Sequence, residues 1–419
     1  MIDRGRTAPV CFLSKEEDLH FEYHCHDCGC TFTSDEVVYL CPECSGTEAK
    51  GEFRKGVLSV EYDRQELRRL AQKDDLCIDD FLPFPIVTPQ VFPTGPTPLV
   101  RPLALSRELG LDLTVKMDSQ LLSGSFKDRA SILVASQAIH HGTSRIALAS
   151  TGNAGAAMSA IGAAYGLDIV LFVPASAPVN KLMQSVLYNA HVVPVRGSYD
   201  DAFALSIAYT ERKGGINRNT AYNPMTIEGK KACSIELFLQ LGRRAPDVIY
   251  VPTGDGCILG GIYKGFYDLL QAGLIERLPR IICCQSSRSD AIASAFESGQ
   301  FRDVVASTLA DSISVSSPAN GRMAVRALRE SDGYAVRVED DEILEAQRQL
   351  AAKAGLFVEP ASAAAWAALL RDRKNIAAGE SVTVLLTGTG FKDMAVFNGR
   401  ISLPEAISCD VKELDKLDF

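Results

Sequence analysis

An α/β body of two lobes, preceded by a small cysteine-rich unit, is the fold class that the sequence predicts. Three observations carry it: apolar runs alternating with helix-length segments from residue 111 onward, two Cys-x-x-Cys pairs near the N-terminus, and a proline-rich stretch between unit and body. The 419-residue chain is 47% hydrophobic and 23% charged, ordinary for a folded protein and far from disordered composition. Lys and Arg number 43 against 52 Asp and Glu, a net charge of −9 that disfavours binding to nucleic acid or an anionic membrane. No segment near the N-terminus reads as a signal peptide. The longest uncharged stretch, 146–167, contains Ser150, Thr151, Asn153 and four glycines, which suits no membrane span. A cytoplasmic protein with reduced cysteines is therefore expected.

The cysteine-rich unit comes first, over 20–62. Cys25 and Cys28 are followed, after twelve residues, by Cys41 and Cys44. Two such knuckles place four thiolates around one tetrahedral Zn²⁺, a closed and therefore structural site whose metal supplies folding energy. His24, His26 and Cys30 are further ligand types close by. Asp27, Asp35, Glu36, Glu43 and Glu48 make the unit acidic, which argues for docking or stabilisation rather than nucleic-acid reading. A connector over 63–110 follows. Its charged start, 63–80, reads as a helix; Pro83, Pro85, Pro89, Pro93, Pro96, Pro98 and Pro102 then forbid continuous helix or central strand.

In the body, 111–117 alternates as a half-buried strand, and 145–150, 168–174, 191–196, 247–252, 280–285 and 381–386 read as buried strands. Helices are expected over 126–141, 154–165, 178–189, 200–213, 227–241, 257–272, 289–298, 340–354 and 361–371. This alternation means a mainly parallel sheet with helices on both faces. The run exceeds one ordinary open sheet, so two lobes are expected, a smaller over 111–225 and a larger over 226–405.

Six histidines occur, none beyond His191 and three in or beside the cysteine unit, so a histidine triad in the body is poorly supported. Ligands of α/β proteins bind at strand-to-helix junctions, and four of these stand out. Ser123-Gly124-Ser125-Phe126-Lys127 opens a helix with a lysine near the positive end of its dipole, which favours the neutral amine needed for Schiff-base chemistry. Ser150-Thr151-Gly152-Asn153 offers amides and hydroxyls to a carboxylate. Gly254-Asp255-Gly256-Cys257-Ile258 lets amides converge on a phosphate. Thr387-Gly388-Thr389-Gly390 ends the last strand.

The strings SGSFKDR (123–129), ASTGNAG (149–155), NPMTIEGKK (223–231), PTGDG (252–256), EPASAAA (359–365) and TGTGFKD (387–393) resemble those of fold type II pyridoxal-phosphate enzymes, the tryptophan synthase β-like group, and within it the threonine synthases. The likeness covers roughly residues 95–395, and the cysteine unit resembles a zinc ribbon found ahead of some threonine-synthase-like bodies. The resemblance implies that Lys127 forms the Schiff base with pyridoxal 5′-phosphate and shuttles protons, in place of histidine. It implies that Asn153 bonds the ring hydroxyl, that Ser150, Thr151, Gly152 and Asn153 bind the substrate carboxylate, and that Gly254, Asp255, Gly256, Cys257 and Ile258 cradle the cofactor phosphate. Thr387 then faces the pyridine nitrogen, where a neutral hydroxyl favours expulsion of a β- or γ-leaving group over long-lived carbanions.

The chain departs from that pattern at three places. Thr226 stands where these enzymes commonly carry an arginine that grips the phosphate of O-phosphohomoserine; Lys181, Lys230 or Lys231 are the candidates to compensate. Asp255 puts a carboxylate beside a phosphate, and Leu122 replaces a proline. The implied activity is a lyase or synthase acting on a small amino acid, nearest to conversion of O-phosphohomoserine to threonine and phosphate. The alternatives are a β-replacement or dehydratase enzyme using O-phosphoserine, serine or threonine, and a cofactor-dead scaffold, which the presence of Lys127 disfavours. A homodimer and closure of the 127–225 lobe over substrate are also expected.

Overall fold

The computed structural model describes residues 19–34, 38–86, 96–402 and 404–417. Prolines 89 and 93 of the connector, and Asp35 and Glu36 of the cysteine unit, lie outside these residues.

The N-terminal unit contains β1 (Phe21–Cys25), β2 (Thr31–Thr33) and β3 (Leu58–Tyr62), an antiparallel sheet in the order β2-β1-β3. Helix α1 (Arg64–Leu70) is shorter than the charge run predicts. Asp63 caps it by accepting from the Gln65 and Glu66 amides, and the chain then turns into a separate 3-10 turn over Ile78–Phe81. Asp80 holds that turn by accepting from Cys77 N at 2.8 Å and Lys73 Nζ at 2.6 Å. Two caps within one charged run mean two short helices, not one.

The body continues through β4 (Leu99–Val100), α2 (Leu103–Leu109), β5 (Asp112–Met117), α3 (Lys127–His140), β6 (Arg145–Ala149), α4 (Asn153–Tyr165) and β7 (Asp168–Pro174). Next come α5 (Val179–Leu187), β8 (His191–Val195), α6 (Tyr199–Lys213), β9 (Ile216–Asn217), α7 (Met225–Gln240), β10 (Val248–Pro252), α8 (Cys257–Gln271) and β11 (Arg280–Ser286). The chain ends with α9 (Ala291–Ser298), α10 (Gly321–Glu330), β12 (Tyr334–Val338), α11 (Asp340–Ala354), α12 (Pro360–Asp372) and β13 (Ser381–Leu386). Helices α2 and α10, and strands β1 to β4, β9 and β12, are additions to the sequence-based pattern.

Two sheets form the body. One has the order β8-β7-β6-β9, all parallel; the other has β12-β11-β10-β13-β5-β4, parallel except for β4. Strand β5 thus belongs to the larger sheet, paired with β13 from Asp112–Ser381 to Met117–Leu386, although its place in the chain suggested the smaller lobe. The chain starts in the larger sheet, crosses to the smaller one, and returns. Linear order cannot reveal such a crossover, because each βαβ unit looks alike locally.

One apolar cluster links the N-terminal unit to both lobes, from Tyr23 and Phe53 through Val134, Phe238 and Ile262 to Leu148 and Leu171. Trp366 and the alanine-rich α12 cover the opposite face of the larger sheet. Between these layers lies a buried ion network. The Arg129 guanidinium donates to Asp118 Oδ2 at 2.5 Å and Oδ1 at 2.9 Å, and to Glu236 Oε2 at 2.9 Å. Lys116 pairs with Glu236, and Thr97 donates to both carboxylates. Burial alone would raise the Asp118 carboxyl; Arg129 beside it holds it below the ordinary value. The network ties β5, α3 and α7 together, two residues from Lys127. Asp118→Ala leaves a buried guanidinium short of its partner and is expected to lower unfolding free energy by about 3–5 kcal/mol. Urea denaturation measures this, and an unchanged midpoint would remove the network from what holds the site.

Candidate active site

Four helix starts meet in one cavity. Its walls include Ser125, Lys127, Asn153, Gly254 to Ile258, Glu359 and Thr387, so the junctions singled out from sequence supply most of it. Ser150, Thr151 and Gly152 lie beside it, on the turn entering α4, and do not line the same cavity.

Lys127 opens α3 because the loop before it is pinned to the end of β13. Phe126 N donates to Thr387 O at 2.7 Å, and Ser125 bridges to Gly388. The Asp128 carboxylate accepts from Ser123 N at 2.7 Å and tightens the same loop. The Lys127 amine is pushed below its ordinary value by burial, with Glu359 and Asp255 opposing. Burial thus does what the helix dipole was expected to do.

Asn153 opens α4 and reaches across to the larger lobe, donating to Glu359 Oε2 and to Ser312 Oγ, both at 3.1 Å. Glu359 sits just before Pro360 at the start of α12, and burial raises its carboxyl. Sequence reading missed this residue as a site group; the EPASAAA string carried it without a role. A Cβ at Gly388 would lie 2.3 Å from Glu359 Oε1, so a larger residue there would displace that carboxylate. The Thr387 hydroxyl lies 3.1 Å from Ser362 Oγ, which also accepts from the Thr387 and Gly388 amides at 2.9 and 2.8 Å. Thr387 is therefore a neutral, hydrogen-bonded group facing the cavity.

The glycine loop joins β10 to α8. Gly256 has φ +81°, and a Cβ there would come within 2.8 Å of Asn320 O. At Gly254 a Cβ would lie 2.9 Å from Ile313 Cα. Only glycine keeps this cradle open beside the free amides of the α8 start, which is the donor set a phosphate needs. Asp255 is less of a contradiction than its charge suggests. Burial raises its carboxyl toward the neutral form, against the opposing pull of the Lys127 charge and an Ala319 backbone hydrogen bond. Cys257 is a buried thiol pushed up to about 12 by burial, so it is an inert wall rather than a nucleophile.

The phosphate-gripping candidates sort cleanly. Lys231 is committed to Glu228 and Asp268, and Lys181 to Asp311 at 2.8 Å. The Thr226 hydroxyl donates to Asn223 O at 2.7 Å, holding the turn before α7. Among the described residues Lys230 donates only to Thr226 O, and burial lowers its amine to about 7. Arg218, which sequence reading did not single out, is fully buried on the strand-end segment after β9. Its Nε donates to Ser131 Oγ at 3.3 Å and its Nη1 to Thr220 Oγ1 at 2.7 Å, while Nη2 has no partner. Among the described residues neither Arg218 nor Lys230 has a carboxylate within ion-pair distance.

In the N-terminal unit, Cys25, Cys28, Cys41 and Cys44 bring their Sγ atoms within 4.8 Å of one another. A second group of ligand types, His24, His26 and Glu61, stands nearby. Cys30 is not part of either group.

A family model described as pyridoxal-phosphate dependent enzyme matches residues 92–388. The chain is 32% identical over 410 residues to a threonine synthase from Methanocaldococcus jannaschii, covering 94% of this chain and 98% of that protein. It is 36% identical over 317 residues to a threonine synthase from Synechocystis, covering 75% and 81%. Among solved structures, a fungal L-serine ammonia-lyase from Rhizomucor miehei superposes with TM-score 0.62 at 23% identity, covering 72% of this chain and 96% of that one. A maize serine racemase superposes with TM-score 0.62 at 20% identity, covering 76% and 93%. These two likenesses concern the fold alone.

Proposed function

We propose threonine synthesis from O-phosphohomoserine as the reaction of this chain, which belongs to the family of pyridoxal-phosphate dependent enzymes. The observation that carries the reading is the meeting of Lys127, Asn153, the glycine cradle and Thr387 in one cavity, in a chain alike to threonine synthases over nearly its whole length. The residues fit the cofactor: the cradle at 254–258 offers amides to a phosphate, Lys127 offers an amine, and Thr387 offers a neutral hydroxyl for the ring nitrogen. Bound there, pyridoxal 5′-phosphate supplies the electron withdrawal that acidifies carbons next to the substrate nitrogen.

The chain's own groups then divide the work. Lys127, with its lowered amine, moves protons at the substrate carbons. The amides and hydroxyls of Ser150, Thr151 and Gly152, at the start of α4, bind the carboxylate. Asn153 orients the ring side of the site while tied to Glu359. A proton leaves Cβ, phosphate leaves Cγ with the C–O electron pair, Cγ takes up a proton, and water adds OH at Cβ while its second proton goes to the released phosphate, giving threonine. Two ties, Lys181 to Asp311 and Lys392 to Gln184 Oε1 at 2.6 Å, join α5 to the larger lobe. Holoenzyme given O-phosphohomoserine is expected to release phosphate and threonine in equal amounts, and Lys127→Ala to lower the rate by at least about 10²–10⁴-fold. Turnover of serine, threonine or O-phosphoserine with none of O-phosphohomoserine would overturn the reading.

The four-cysteine cluster is proposed as a structural zinc site of a ribbon over 20–62. Its support is the closed set of four sulfurs, with Gly29, Gly46 and Gly56 at positive φ shaping the knuckles. Elemental analysis is expected to find about one zinc per chain, and Cys41→Ser to lower both zinc content and melting temperature. Purified protein free of zinc yet fully stable would exclude it.

A homodimer in the cytoplasm is the proposed state. Val179, Met183, Val186 and Leu187 form an exposed apolar stripe on α5 of the kind a partner copy covers, and no cysteine pair among the described residues is bridged. Sedimentation of the holoenzyme at micromolar concentration is expected to give a dimer; a monomer there would remove the proposal.

A further inference from the structure

We infer that the cavity between the N-terminal unit and α10 is a second ligand site, built for a small phosphomonoester that also carries hydroxyl groups. Its volume is about 280 Å³, against about 60 Å³ for the cavity at Lys127, and the two share no lining residue. The inference does not depend on the proposed reaction. Four arginines line the cavity. Arg54 comes from the unit, while Arg322, Arg326 and Arg329 follow at four- and three-residue spacing and so share one face of α10. The acids of the lining are Asp27 and Glu330, and both are engaged. Asp27 Oδ2 accepts from Gly56 N at 2.7 Å, and its Oδ1 stays 3.9 Å from Arg322 Nη1. Glu330 pairs with Arg326 at 2.5 Å and accepts from the Tyr263 hydroxyl. Among the described residues Arg54 and Arg329 form no ion pair, and Arg54 Nη1 is buried with no hydrogen-bond partner. Guanidinium groups gathered in a cavity without matching carboxylates leave their charge to be met by a ligand.

The walls define the ligand. The Arg322 guanidinium lies 4.4 Å from the centre of the Phe301 ring and donates from Nε to Phe53 O at 3.4 Å, so ring and carbonyl hold its plane in place. A carboxylate has two oxygens, which one guanidinium fork fills. A phosphomonoester has three and can take forks from more than one arginine, which suits cations supplied by both the unit and α10. Asn320 adds a polar requirement. Its Nδ2 faces Gly256 O at 3.4 Å and Met323 Sδ at 3.5 Å, while its Oδ1 is buried with no partner. A buried acceptor calls for a donor, and a ligand hydroxyl provides one. Val57, Phe301 and Met323 give the ligand's carbon body an apolar wall. Asn320 N also donates to Asp255 O at 3.0 Å, so this residue is the partition between the arginine cavity and the glycine loop.

Calorimetry of the holoenzyme with glycerol 3-phosphate tests this, with malate as a carboxylate of similar size. Glycerol 3-phosphate is expected to bind more tightly than malate, and its binding to persist in Lys127→Ala, whose change lies in the other cavity. Arg54→Met and Arg322→Met are each expected to weaken it at least about tenfold with cofactor absorbance unchanged, and Arg322→Lys to recover part of the loss. Arg329 is exposed, so Arg329→Gln, also expected to weaken binding, remains informative if the other two variants fail to fold. Undiminished binding in the folded arginine variants overturns the inference, as does loss of binding in Lys127→Ala. Malate binding as tightly as glycerol 3-phosphate overturns the choice of ligand, and absence of any binding at millimolar concentration overturns the site.

Discussion

The parallel pairing of β5 with β13 is the constraint on which the site depends. It sets Met117 beside Leu386, and so brings the loop after β5 against the loop after β13. The bond from Phe126 N to Thr387 O follows from that register, and it places the first residue of α3 in the cavity. One-residue slippage would turn every side chain of β5 to the opposite face and carry Lys127 away from Thr387. The Arg129 network guards the same register from below, since it fastens β5 and α3 to α7. Catalytic geometry and sheet stability are thus enforced by the same few residues.

Buried charge is handled in two ways in this chain. Beneath α3, and between α7 and α8, cations are paired with carboxylates, as with Lys231, Lys264, Glu228 and Asp268. Elsewhere the balance is withheld: among the described residues Arg218 and Lys230 are fully buried without a carboxylate partner, and burial pushes up the Asp255 carboxyl in the glycine loop. The first arrangement contributes rigidity and the second leaves charge for a ligand. The Thr226 hydroxyl, between these two regions, shapes the turn before α7 by donating to Asn223 O.

Much of this was legible in the sequence because local chemistry announces it. Buried parallel strands are continuous apolar runs, and glycine with hydroxyl residues at strand ends marks Lys127, Asn153, Gly254 to Ile258 and Thr387. What stayed hidden depends on the crossover. Nothing local says that β5 leaves its sequence neighbours for β13, and so nothing says that Glu359 faces Asn153. Arg218 is one arginine on a strand-end segment, and only burial distinguishes it from a solvated one. Short β4 and β9 carry two residues each, too few for a period to show. The Asp63–Asp80 run read as one helix because charge spacing hides the two caps that divide it.

The N-terminal unit touches both lobes. Tyr39 stacks on Tyr222 with ring centroids 4.7 Å apart and accepts from Asn217 N at 2.9 Å, on the side of the smaller sheet. Tyr62 donates to Glu228 Oε2 at 3.1 Å, and Phe53 fills the space above Gly321, on the side of the larger one. Mechanically this makes the unit a third point of attachment across the cleft. With this third attachment, rotation of one lobe against the other about a single joint would require the Tyr39–Tyr222 stack to part. The unit therefore restrains the two lobes against each other while completing the apolar core they share.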